Sequence, residues 1–126
     1  MGFNEHPQYK NFINDINNLL KPIDEILETY RDNWIDGLIT FDFEWFENVN
    51  LAINSALEII EKNIVNQQNR FDRFLEAANS LSSKNKFFDF DSDEYEVDFI
   101  LDIQKPMLTK KQELIKIREH IELVLT

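Results

Sequence analysis

The stretch FFDFDSDEYEVDFILDI, residues 87–103, decides the fold, because it supports two incompatible readings. Between Phe87 and Phe99 it holds six carboxylates and five aromatics in thirteen residues, with no basic side chain. From Tyr95 onward the residues alternate. Val97, Phe99, Leu101 and Ile103 fall on one side, and Glu96, Asp98, Asp102 and Gln104 on the other, which is the two-residue period of a half-buried strand. A second segment repeats the pattern, with Ile39, Phe41, Phe43 and Trp45 alternating with Thr40, Asp42 and Glu44. The α+β alternative pairs the two in a small antiparallel sheet from 38–45 and 87–103. Its outer face would then set carboxylate against carboxylate across strands, which is destabilising. The turn Asp91-Ser92-Asp93 also lacks the glycine that a tight hairpin favours. As helix starts the same residues are well placed. Asp91 or Ser92 caps free amides while Asp93, Glu94 and Glu96 meet the positive end of the dipole, and Asp42, Glu44 and Glu47 do the same one helix earlier. Helix is therefore the expectation at both places.

Working outward, three apolar stripes at three- and four-residue spacing predict three long helices. The first takes Phe12, Ile16, Leu19, Ile23, Ile26 and Tyr30, with Pro7 suited to its first position. Pro22 lies inside it and predicts a kink, since the stripe keeps phase across the missing amide donor. Asp36-Gly37 is expected to end it. The second stripe runs Phe46, Val49, Ile53, Leu57, Ile60, Ile64, Phe71, Phe74, Ala78 and Leu81, one extended helix or two stacked near Asn66. Ser80 to Lys86 is expected as a loop. The last stripe takes Ile100, Met107, Leu114, Ile117, Ile121 and Val124, with a second kink at Pro106. The expected fold is all-α, an elongated bundle of three long proline-kinked helices in a single domain spanning residues 1–126.

Composition removes many function classes. Without cysteine the chain has no disulfide, thiolate metal site or cysteine nucleophile. Two glycines cannot build a phosphate-cradling loop or a dinucleotide fingerprint. Asp89, Asp91 and Asp93 match the first ligands of a calcium loop, but Glu94 stands at its required glycine and Ile100 at its bidentate glutamate. His6 and His120 lie at opposite ends of the chain, neither at motif spacing from a catalytic partner. No cofactor, metal or catalytic residue is expected. The N-terminus lacks a signal peptide pattern and no segment approaches a membrane span, so a cytoplasmic protein is expected. Fifteen isoleucines and fourteen asparagines against four alanines fit an AT-rich coding genome, such as that of a low-GC bacterium or its phage.

What remains is charge. The chain carries 24 acids, 13 bases and a net charge of −11. From Asp15 to Glu61 there are eleven acids against Lys21 and Arg31 alone, and from Asp89 to Asp102 seven acids and no base. Such a field repels nucleic acid and anionic lipid and attracts basic proteins. The expected function is non-enzymatic: an acidic binding protein that neutralises a basic, nucleic-acid-handling partner, as an antitoxin, immunity protein or phage anti-defence inhibitor does. Carboxylates one helical turn apart, such as Asp24, Glu25, Glu28 and Asp32, lie about 5 to 6 Å from one another, close to the phosphate repeat of a strand. The candidate partner-binding residues are Asp24, Glu28, Asp32, Asp42, Glu44, Asp89, Asp91, Asp93, Glu94, Glu96 and Asp98, with Trp34 and Trp45 as aromatic anchors.

An alternative class is a structural helical-hairpin subunit or chaperone partner of a secretion system. Two antiparallel helices joined around Asn33-Trp34-Ile35-Asp36-Gly37 loosely resemble the hairpin subunits of type VII secretion, whose turn carries Trp-x-Gly. Here the spacing is Trp-x-x-Gly. The tyrosine-plus-acid export signal of that family has no counterpart, since Phe99 stands four residues after Tyr95. The resemblance covers residues 7–82 and implies pairing through an apolar stripe.

Overall fold

A computed structural model describes residues 3–40, 42–84 and 92–126. Helix α1 spans Tyr9–Thr40 and α2 spans Phe43–Lys84. The third rod is composite: α3 (Ser92–Phe99), a π-helical segment (Ile100–Gln104) and α4 (Lys105–Leu125). A short 3-10 turn, Phe3–Glu5, precedes α1. Among the described residues only His6, Pro7, Gln8, Asp42 and Thr126 lie outside helical segments, and there is no strand. The alternation after Tyr95 is thus carried on a helix. Val97 and Leu101, on its supposed inner side, are exposed, whereas Phe99 and Ile103 are buried. Phe41, Asp89, Asp91 and the phenylalanines at 87, 88 and 90 lie outside the described residues.

Successive rods run antiparallel, so α1 and the third rod are parallel, and two apolar clusters fill the bundle. Towards the α1–α2 turn, Ile23, Leu27 and Tyr30 of α1 meet Phe46, Ile53 and Ile60 of α2 and Leu114 and Ile121 of α4. At the other end, Phe3, Phe12 and Ile16 meet Phe71, Tyr95, Phe99, Ile103 and Met107. Each fully buried side chain of this size contributes about 1.5 to 3 kcal/mol, so these clusters, more than local propensity, hold the long helices together. Phe71 and Phe99 stack at 4.1 Å with only 3° between ring planes, tying α2 to α3.

Several boundaries differ from expectation. Gly37 does not end α1, which continues for three more residues to Thr40. The glycine is buried because the helix–helix approach is tight there: a Cβ on it would sit 3.1 Å from Trp45 Cε3 and 3.3 Å from Phe46. Its carbonyl accepts the amide of Asp42 at 3.0 Å, so closure happens five residues later. Asp42 then caps α2 as expected, its carboxylate accepting the Trp45 amide at 3.1 Å. Helix α2 is one unbroken 42-residue rod with no break at Asn66, and it extends through Ser80 to Lys84 where a loop was expected. Pro7 precedes α1 in a turn instead of opening it.

The prolines are absorbed differently. Pro22 sits on the exposed side of α1, which is helical on both sides of it. Pro106 follows the π segment, where the Lys105 amide reaches the Ile100 carbonyl five residues back. One wider turn accommodates the donor that proline lacks, in place of a simple kink.

Candidate functional site

The structure divides the sequence-derived acidic residues between two ends of the bundle. Asp24, Glu28, Asp32, Asp42 and Glu44 belong to the half around the α1–α2 turn, and Asp93, Glu94, Glu96 and Asp98 to the half around Phe71. Phe46 and Phe71, which mark these halves along α2, are 25 residues apart in one helix, or about 38 Å at 1.5 Å per residue. The two described sets are therefore centred on opposite ends of the bundle.

Individual roles differ as well. Asp98 accepts the backbone amide of Phe3 at 2.9 Å, and Asp102 accepts the Tyr9 hydroxyl at 2.8 Å. Both carboxylates are half-buried and engaged in fixing the N-terminal turn against α3. Asp24 is half-buried and pairs with Lys110 at 2.7 Å. That hydrogen bond holds the Lys110 ammonium above its ordinary range, against a smaller opposing effect of burial. Trp34 and Trp45 are half-buried. Both stack on Tyr30, Trp34 also on His120, while Trp45 meets Phe46 edge-on. They pack against the end of the core and are each only partly exposed.

Of the eleven acids from Asp15 to Glu61, Asp15, Asp24 and Glu61 pair with Arg70, Lys110 and Lys111. Asp42 is the α2 cap. Glu25, Glu28, Asp32, Asp36, Glu44, Glu47 and Glu58 are exposed and make no ion pair with a described residue. This half of the molecule therefore keeps an uncompensated negative field.

The feature that sequence reasoning missed is the α1–α2 seam. Two adjoining depressions of about 440 and 330 Å³ share Pro22, Ile26 and Ala52. Leu19, Ala56 and Ile59 extend the floor one way, and Val49 and Trp45 the other. The signal was present in the sequence as Ala52, Ser55 and Ala56, small residues where an apolar stripe would ordinarily carry larger ones. A third recess, lined by Asn33, Asp36, Thr40 and Asp42, continues past Trp45 to the turn.

His6 lies against Phe74 at 4.8 Å, with burial lowering its basicity, and its Nδ1 accepts the Gln8 amide. His120 is at the other end, against Trp34. Among the described residues no group of three or more histidines and carboxylates is placed to hold a metal ion. No helix among them is long and apolar enough to cross a membrane. Comparison with known proteins finds no matching family model, no similar curated protein and no similar solved structure.

Proposed function

We propose that the chain is a non-enzymatic acidic binding protein that neutralises a basic, nucleic-acid-handling protein. The observation that carries this reading is the run of seven exposed carboxylates on α1 and α2, from Glu25 to Glu58, that make no ion pair with a described residue. Like charges held on rigid helices without counter-ions cost stability through self-repulsion, and a basic partner relieves that cost while its approach is steered by the same field. Antitoxins, immunity proteins and phage anti-defence inhibitors share this chemistry. A groove built for phosphates is the surface on which rows of carboxylates compete best.

The test is capture at low ionic strength followed by a salt gradient. A basic nucleic-acid-binding protein should elute steeply with salt, and the purified chain should displace nucleic acid from it at stoichiometric ratio. Retention of a non-basic partner through high salt would overturn the reading. It would favour instead the structural or chaperone subunit of a secretion system, to which the antiparallel α1–α2 hairpin lends support, because apolar pairing is nearly indifferent to screening.

A further inference from the structure

A three-helix bundle has three seams, and among the described residues polar side chains bridge the third rod to α1 and to α2 at two points each, but α1 to α2 at one. Lys110 bridges α4 to Asp24 of α1. Lys111 bridges α4 to Glu61 of α2, and Gln104 donates to Gln68 a few turns away. Between α1 and α2 the one side-chain bridge among the described residues is Arg70 to Asp15, near the lower end. Above it, from Asn18 to Trp45, the seam is open and floored by apolar side chains. Along α2 the floor runs from Ile59 to Trp45, 14 residues, or about 21 Å. That is the length of a helix of nearly four turns.

The floor is shaped for a close helix. Ala52 and Ala56 on α2 are small, and on α1 they face Pro22 and Ile26 across the depression. Ile59 is half exposed at 50% and Ile26 half-buried, so large apolar surface borders a trough with no side chain filling it. Pro22 has no amide to give the carbonyl of Asn18, so a hydrogen-bond acceptor lies in the same stretch.

Charge decides what fits. No lysine or arginine lines the seam or the recess beyond it, whereas Glu25 borders the floor, and Asp36 and Asp42 border the upper end. A second copy of this chain is a poor occupant. Its own seam is acidic, and of the five bases on its helix α4 Lys110, Lys111 and Arg118 are already engaged with Asp24, Glu61 and Glu122, which leaves Lys105 and Lys116 against the acids of the rim. Anionic lipid and nucleic acid are repelled by the same rim.

We propose that the open α1–α2 seam binds a basic amphipathic helix of a partner protein. The helix lays its apolar face on Ile26, Ala52 and Ile59 and sets flanking lysines or arginines against Glu25, Asp36 and Asp42. Docking completes a four-helix bundle, the usual way for an unpartnered pair of helical faces to be covered. This deepens the acidic-binding reading and rests on it.

The probe is a synthetic Leu/Lys peptide of about eighteen residues, five helical turns, with leucine along one face. Its companions are a scrambled peptide of the same composition and a Leu/Glu peptide of the same pattern. Affinity is followed by calorimetry at low and physiological salt. The Leu/Lys helix should bind at least about ten-fold tighter than the scrambled peptide, and the Leu/Glu helix should not bind. Ala52→Phe, which fills the trough, and Ser55→Lys, an exposed position that adds a cation at the rim, should each weaken binding about ten-fold or more while melting and helicity stay near the parent's. The two variants act by steric and by electrostatic means, so failure of one to fold leaves the other decisive.

Equal binding of the scrambled peptide, with both variants unaffected, overturns the seam as the site and leaves the acidic reading standing. Absence of binding by any cationic peptide at low salt overturns both. Binding of the Leu/Glu helix overturns the charge requirement. Self-association of the chain that Ala52→Phe abolishes assigns the seam to a second copy and overturns the proposal.

Discussion

The backbone amide of Phe3 donates to the carboxylate of Asp98 at 2.9 Å, across 95 residues of sequence. One turn further along, the hydroxyl of Tyr9 donates to Asp102 at 2.8 Å. These two bonds clamp the N-terminal turn over the lower core, where Phe3 is fully buried against Tyr9, Phe12, Phe71, Phe74 and Tyr95. Burial, and then the hydrogen bond and negative charge of Asp102, raise the Tyr9 phenol from its ordinary 10.0 to about 12.

The sign of the linked stability follows from that shift. Because the folded value lies above the unfolded one, the protonated phenol stabilises the fold fully below pH 10.0 and loses that effect as pH rises towards about 12. Tyr9→Phe should cost about 1.5 to 3 kcal/mol near neutrality, the range for a hydrogen bond to a charged acceptor. It should also flatten the fall of melting temperature across the alkaline window. Tyr30, raised by burial, titrates in both proteins and cancels in the comparison. An unchanged alkaline slope in the variant would show that the clamp does not act on stability.

Gly37 makes the opposite demand, for space. An alanine in a helix interior ordinarily gains about 1 kcal/mol over glycine. At Gly37 the new methyl would press on Trp45 at 3.1 Å and on Phe46 at 3.3 Å, a ring that is 1% exposed. Gly37→Ala should therefore gain nothing in a denaturant melt, and Gly37→Leu should destabilise by several kcal/mol, about the cost of gross overpacking. A rise of several degrees in Gly37→Ala would mean that the rings move aside easily.

How far each feature was legible in the sequence follows from whether its cause is local. Three long helices were legible because the stripes through Ile23, Ile53 and Leu114 recur at helical spacing, and a cap such as Asp42 needs only its own neighbours. The exit of α1 was misplaced at Gly37 because glycine ordinarily marks a helix end. Here it answers to Trp45 and Phe46, a contact that exists only once the hairpin has closed. Phe3 carried no periodic signal, standing outside every stripe, yet it is at the centre of the lower core. Asp98 was indistinguishable from Glu96 as one acid among many, and only the N-terminal turn packed against α3 separates them. The open seam left only a partial trace, the small residues Ala52, Ser55 and Ala56 on α2, because their facing Pro22 and Ile26 is a property of two helices at once.

Pro22 offers a test of the seam's structural cost. Helix α1 continues through it, so Pro22→Ala restores a backbone donor for Asn18 without disturbing a turn. The variant should be more stable, by up to about 3 kcal/mol. If the seam binds a partner helix, the gain in stability should come with altered affinity, since Pro22 lines both depressions. Loss of stability in a thermal melt would mean that proline is required for the local helix path.

Charge at the two ends of the bundle should act separately. Lys110, the partner of Asp24, lies 12 residues beyond Asp98 on the third rod, so even the nearest members of the two sets are about 18 Å apart, about twice the Debye length of about 8 Å at physiological ionic strength, and each set acts largely alone. Replacing Glu28, Asp32 and Asp36 by Gln or Asn removes three exposed carboxylates with no ion-pair partner among the described residues. Stability should change by no more than about 1 kcal/mol per charge, and in the direction of a gain, because their neighbours along α1 include Glu25 and Asp24. Association with a basic partner should slow, with the slope against salt becoming shallower and dissociation little changed. The corresponding change at Asp93, Glu94 and Glu96 should leave that rate alone and instead loosen the start of α3, where acids meet the positive end of the dipole at a few tenths of a kcal/mol to about 1 kcal/mol each. Stopped-flow association and thermal melts on the two triple variants decide the matter. Equal slowing by both would mean that the partner spans the whole length of the bundle, and no slowing by either would leave the carboxylates as a solvated surface.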